Sequence, residues 1–229
     1  MSVNLVVALD VPHAEDAFRL AGKLKGCIPW MKVGLELFTA EGPLVVSRLK
    51  DMGFNVFLDL KFHDIPNTVK GAARSAGLLG ADLVTLHHAG GERMAKAALE
   101  GIAESGHRVM PFAVTMLTST STREAGFAAT GEMTMDVSAR AVQIKEWGLP
   151  GVVCSGHEAA SVKAVCGPNF LCLCPGIRMP DAAADDQRRV MTPAEAVKAG
   201  ADFLVVGRPI TRAENPLDAA RRILEDMET

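Results

Sequence analysis

The stretch Phe57-Leu58-Asp59-Leu60-Lys61-Phe62-His63-Asp64-Ile65-Pro66-Asn67-Thr68 sets two carboxylates and an ammonium into an apolar run. Side chains of a strand alternate between its two faces. Val56, Leu58, Leu60 and Phe62 then share one face, suited to packing under helices, and Asp59 and Lys61 share the other. Burying a carboxylate and an ammonium is costly unless they pair. One such pair could do no more than set the register of a sheet. Further charges at the ends of other apolar runs point to chemistry instead. Asp10 closes the run 5–9, and Lys32 lies inside Trp30-Met31-Lys32-Val33-Gly34, opposite Met31 and Val33. Clusters of this kind are expected where a site stabilises developing charge.

The charges suggest a reaction type. Beside Asp59 and Asp64, the ammonium form of Lys61 is favoured, so this lysine is a proton donor rather than a base. Lys32 and Lys61 in turn keep the carboxylates ionised. Paired anions around one protonated lysine suit a reaction that expels an anionic group and leaves a carbanion to be protonated. Loss of carbon dioxide fits, and no cofactor is needed as an electron sink. A second set of residues suits a phosphate. Val205-Val206-Gly207-Arg208 lets a backbone N–H approach oxygen at Gly207 and offers the donor fork of Arg208. Pro175-Gly176-Ile177-Arg178 supplies a second arginine, and Gln187 lies further along the same loop.

These side chains need a scaffold that brings strand ends together. Short apolar runs alternate with longer amphipathic stretches, the pattern of a parallel sheet with helical crossovers. Strands are predicted at 5–9, 30–35, 55–60, 83–87, 109–114, 151–154, 170–173 and 203–206, with helices such as 14–24, 43–52 and 217–227 between and after them. Gly80-Ala81-Asp82-Leu83-Val84 and Gly200-Ala201-Asp202-Phe203-Leu204 repeat one helix-to-strand junction, with glycine at a left-handed helix end. Thr192-Pro193-Ala194-Glu195 reads as a capping box that starts a helix. The stretches 118–134 and 180–189 show no apolar period. In a barrel both would be loops on the C-terminal face, where active sites collect.

The fold class implied is a single (β/α)8 barrel forming one domain. The 229 residues suit that size, and 48% hydrophobic with 22% charged residues is an ordinary globular composition. A net charge of −3 argues against nucleic acid as the partner but leaves room for a small phosphorylated ligand. No apolar run suits a membrane span, and the N-terminus lacks the basic start of a signal peptide. Five cysteines without a disulfide-framework spacing point to a reducing cytoplasm, with Cys172 and Cys174 as small buried hydrophobes. His87 and His88, beside Gly90-Gly91, read as packed or solvated histidines rather than metal ligands.

Taken together, Ala8-Leu9-Asp10, Met31-Lys32-Val33-Gly34, the Asp59–Thr68 stretch, Leu117-Thr118-Ser119, Pro175-Gly176-Ile177-Arg178 and Val206-Gly207-Arg208 resemble the bacterial orotidine 5′-phosphate decarboxylases. The resemblance covers nearly the whole chain. It implies a cofactor-free, metal-free homodimer acting on a nucleotide. Lys32, Asp59, Lys61 and Asp64 would form the catalytic network, with Lys61 protonating the carbon that loses carbon dioxide. Asp59 would lie against the departing carboxylate. Asp64 would cross the dimer interface with Ile65 and Thr68. Asp10 and Lys32 would hold ribose hydroxyls, and Thr118 would lie at the base, with Ser119, Thr120 and Ser121 also in reach. Arg178, Gln187, Gly207 and Arg208 would hold the phosphate, under a loop that closes after Gly176. Related sugar-phosphate lyases share the D-x-K-x-x-D segment but carry a glutamate where this chain has Lys32, and they use magnesium. A nucleotide-binding protein with a degenerate site is a third reading, against which stands the full set of charges.

Overall fold

The structure is a computed structural model that describes residues 3–179 and 190–229. Its strands are β1 (Asn4–Ala8), β2 (Trp30–Gly34), β3 (Asn55–Phe62), β4 (Leu83–His87), β5 (Met110–Val114), β6 (Gly151–Val153), β7 (Leu171–Pro175) and β8 (Phe203–Val206). Each pairs in parallel with the next, and β8 pairs with β1, so the sheet closes into a (β/α)8 barrel. The helices are α1 (Ala14–Leu24), α2 (Leu35–Glu41), α3 (Leu44–Asp51), α4 (Pro66–Leu78), α5 (Gly91–Ser105), α6 (Thr130–Glu146), α7 (Gly156–Cys166), α8 (Pro193–Lys198), α9 (Arg208–Thr211) and α10 (Pro216–Met227).

A parallel sheet covered on both faces needs strands that are apolar on both. The period-2 alternation sorts the two sets. Val7, Met31, Val33, Val56, Leu58, Cys172 and Cys174 pack outward under the helices. Val6, Trp30, Phe57, Leu83, Phe112 and Phe203 fill the barrel. Trp30 and Phe112 meet Phe203 edge-on, with ring centroids 5.5 and 5.8 Å away. These rings plug the N-terminal half of the barrel and leave its C-terminal mouth for polar groups.

The repeated Gly-Ala-Asp junction builds the same clamp twice. Asp82 accepts from Lys50 Nζ at 2.6 Å and from the Val56 N–H at 2.7 Å. Asp202 accepts from Lys163 Nζ at 2.8 Å and from the Cys172 N–H at 2.7 Å. Each carboxylate thus ties a preceding helix to the neighbouring strand. Gly80 has φ +88° and Gly200 φ +97°, and a Cβ at either would press on the clamping lysine's stem, 3.3 Å and 3.1 Å away.

Some boundaries differ from the sequence reading. β3 runs on to Phe62, and Leu35 begins α2 instead of ending β2. The stretch 118–134 is not loop throughout, because α6 starts at Thr130. Its first turn, Thr-Gly-Glu-Met-Thr, is poor in helix formers, but Met133, Val137, Ala141 and Ile144 bury one stripe, and that packing carries the helix. The capping box at Thr192 forms as expected, with Glu195 N–H donating to Thr192 Oγ1 at 3.2 Å and Glu195 Oε2 accepting from the Thr192 N–H at 3.0 Å. The loop 180–189 lies outside the described residues.

Candidate active site

The strands point their C-terminal ends into one mouth, and the charged residues singled out in the sequence meet there. Asp10 follows β1, Lys32 lies in β2, and Asp59 and Lys61 lie in β3. Arg178 follows β7, and Gly207 and Arg208 follow β8. All of these residues, with Thr118 after β5, line one cavity of about 570 Å³. Its floor and one wall are apolar, from residues such as Val114, Val153 and Leu173.

Along the mouth the charges alternate. Lys32 Nζ sits 2.8 Å from Asp10 Oδ1 and 3.8 Å from Asp59 Oδ2, and Lys61 Nζ sits 2.8 Å from the same Asp59 oxygen. The Lys32 and Asp59 side chains are 10% and 13% exposed, whereas Asp10 at 54% faces the opening. Close packing around Lys32 explains Gly34. A Cβ there would lie 2.7 Å from Lys32 Nζ and 3.1 Å from Asp10 Oδ1. Burial pushes the Asp59 carboxyl up. The charges of Lys32 and Lys61, with hydrogen bonds from Lys61 and Thr85, more than offset this and hold it below the ordinary carboxylate value.

The strand that carries Asp59 and Lys61 is irregular, which alternation alone did not reveal. β3 pairs with β4 at Leu58↔Val84 and again at Phe62↔Leu86, so Asp59, Leu60 and Lys61 together face Thr85. Among the described residues, Lys61 is the non-glycine residue with positive φ, at 52°. Such a conformation costs about 1–2 kcal/mol and collects at functional sites. Thr85 is fully buried. Its Oγ1 accepts the Lys61 N–H at 3.0 Å and donates to Asp59 Oδ1 at 2.8 Å. The sequence signal was there: a hydroxyl within the apolar run Leu83-Val84-Thr85-Leu86.

Other expected residues divide into three groups. Thr118 and Ser119 line the cavity; Thr120 and Ser121 are not among its lining residues, and Ser121 Oγ is turned to Glu124 Oε2 at 2.7 Å. Asp64, Ile65 and Thr68 are exposed and line no part of the chain's own cavity. The Asp64 carboxylate accepts the Ile65 N–H at 2.6 Å. Gln187 lies outside the described residues. Arg212, which the sequence reading missed, adds a third guanidinium to the wall carrying Arg178 and Arg208. It stands one helical turn beyond Arg208, a spacing that gives the same face.

Two other features settle as packing. His88 stacks on Trp147 with ring centroids 5.0 Å apart and meets Gln143 Oε1 at 2.7 Å. His87 leans on His63 at 5.4 Å, and burial, then His63 and Lys61, hold its pKa down. Cys172 is a free, buried thiol beside Cys154. Hydrogen bonding with Cys154 and then burial push it far above the ordinary thiol range. Among the described residues, no group of three or more His, Cys, Asp or Glu could hold a metal ion.

A closed parallel barrel with alternating lysines and carboxylates at its C-terminal mouth, facing arginines that follow the last two strands, defines a (β/α)8 protein built to hold an anionic ligand. The chain belongs to the orotidine 5′-phosphate decarboxylase / HUMPS family, whose model matches residues 3–223. It is 57% identical to the orotidine 5′-phosphate decarboxylase of Nitratidesulfovibrio vulgaris strain DP4, over 98% of this chain and 97% of that protein. It is 48% identical to that of Cutibacterium acnes, over 96% of this chain and 94% of that protein. A crystal structure of orotidine 5′-phosphate decarboxylase from Lactobacillus acidophilus matches with a TM-score of 0.85 and 35% identity, covering 100% of both chains.

Proposed function

We propose that the chain decarboxylates orotidine 5′-monophosphate to uridine 5′-monophosphate, a step of pyrimidine nucleotide synthesis, without metal or cofactor. The observation that carries this reading is the unbroken Asp10–Lys32–Asp59–Lys61 charge chain in the cavity that Arg178, Gly207 and Arg208 also line. In this reading the phosphate binds Arg178, Gln187, Gly207 and Arg208. Asp10 and Lys32 hold ribose hydroxyls, and Thr118 meets the base. The substrate carboxylate lies beside Asp59. The bond from C6 to the carboxyl carbon breaks, carbon dioxide leaves, and the electron pair stays on C6. The Lys61 ammonium then delivers its proton to C6 and regains one from water. Fixed charges aimed at developing charge are worth more in a dry site than in water.

The working unit of this proposal is a homodimer of single-domain barrels in the cytoplasm. Asp64, Ile65 and Thr68 are exposed and line no part of their own cavity, which supports their serving the partner's. Among the described residues, no helix is long and apolar enough to cross a membrane.

The family description covers more than one activity, so Lys32 matters. An ammonium 2.8 Å from Asp10 and 3.8 Å from Asp59 occupies the place where a divalent cation would need an anionic ligand. This favours decarboxylation over magnesium-dependent sugar-phosphate chemistry. The test is turnover of orotidine 5′-monophosphate by the purified protein in excess chelator. Undiminished release of carbon dioxide is expected. Activity only on a sugar phosphate with magnesium, or nucleotide binding without turnover, would overturn the proposal.

A further inference from the structure

Where β3 bulges, three of its residues face one residue of β4, and two of the three carry the charges of the site. The single hydroxyl of Thr85 serves both. As acceptor it takes the Lys61 N–H, which the interrupted ladder leaves without a strand partner, at 3.0 Å. As donor it meets Asp59 Oδ1 at 2.8 Å, opposite the oxygen that pairs with Lys61 Nζ at 2.8 Å. A hydroxyl has one proton to give, and this geometry commits it to the carboxylate. Asp59 is thereby pinned at both oxygens, and Lys61 is held in its left-handed backbone conformation at φ 52°. Thr85 is fully buried, so no water replaces it without rearrangement.

We propose that Thr85 is a positioning residue for the reaction: through one hydroxyl it sets the direction of the Asp59 carboxylate and the backbone of the proton donor Lys61. It touches no part of the cavity itself, being absent from the lining. Its effect is on the rate of the chemical step and not on substrate capture, which depends on the arginines across the mouth. This inference rests on the decarboxylase reading above.

Thr85→Val keeps the side-chain shape and removes both hydrogen bonds, whereas Thr85→Ser keeps the hydroxyl. Thr85→Cys, whose thiol donates and accepts weakly, is the second variant should the valine variant not fold. With orotidine 5′-monophosphate as substrate, kcat of the valine or cysteine variant is expected to fall about ten- to a hundredfold, the equivalent of one hydrogen bond to a charged group. KM is expected to stay near the parent value, and the serine variant to retain most of the parent kcat. Parent-like kcat in the folded valine or cysteine variant, a change confined to KM, or an equal loss in the serine variant would each overturn the assignment. If the parent protein does not release carbon dioxide, the decarboxylase reading fails first, and the two failures are thereby told apart.

Discussion

Asp59 stands between two ammonium groups, and its protonation follows from that position. With its folded pKa held below the ordinary value of 3.8, the ionised carboxylate favours the native state. A group of this sign contributes stability above its unfolded pKa and loses it as pH falls through the lower folded value. The stability of the parent relative to Asp59→Asn is therefore expected to shrink on acidification below about pH 4. Thermal midpoints of both proteins across that range are the check, and a gap that widens in acid is the contrary result. The Lys61 amine is asked for a different service. Lys61→Ala is expected to lower kcat by about three orders of magnitude, as for loss of a general acid. A phosphate-bearing nucleotide should still bind that variant in calorimetry, because the arginine end is untouched.

At the scale of elements, the barrel separates two duties between its ends. The N-terminal rim holds the Asp82 and Asp202 clamps, and the C-terminal rim holds the charges. Asp202→Ala strands the Cys172 N–H and takes the carboxylate from the Lys163 ammonium, which keeps its bond to the Pro168 carbonyl at 2.9 Å. It is expected to cost about 1–3 kcal/mol in a denaturant titration while kcat of the folded enzyme is unchanged. A fall in kcat without loss of stability would show that the two ends are not independent. In the proposed function, Arg178 after β7 and Arg208 after β8 take the phosphate end of the substrate. Arg208→Ala is expected to weaken a nucleotide monophosphate about ten- to a hundredfold and leave the free nucleoside unaffected. Equal weakening of both would remove Arg208 from the phosphate.

At the scale of the whole molecule, one barrel holds four linked charges and leaves Asp64 outside its own mouth. Ile65 beside Asp64 is 67% accessible, and in the proposed dimer it accompanies Asp64 to the partner's site. If the site is shared, a mixture of inactive Asp64→Ala and inactive Lys61→Ala subunits rebuilds one intact site per heterodimer. Recovery of part of the parent activity after subunit exchange is expected. Exchange without recovery, shown by light scattering of tagged subunits, would place every catalytic group on one chain.

Much of this was legible in the residues alone. Which side chains face the barrel and which face the helices follows from period-2 alternation, a local property written by the solvation of each side chain. That alternation placed Lys32 opposite Met31 and Val33, and it put Asp59 and Lys61 on the inner face. The Gly-Ala-Asp repeat likewise marked both helix-to-strand junctions, though not the lysines that close the clamps. What alternation leaves open is register between strands distant in sequence. The bulge opposite Thr85, the left-handed Lys61 and the need for glycine at position 34 all depend on such pairing. Those features arise where a neighbouring strand or side chain arrives, and only the closed barrel brings them within bonding distance.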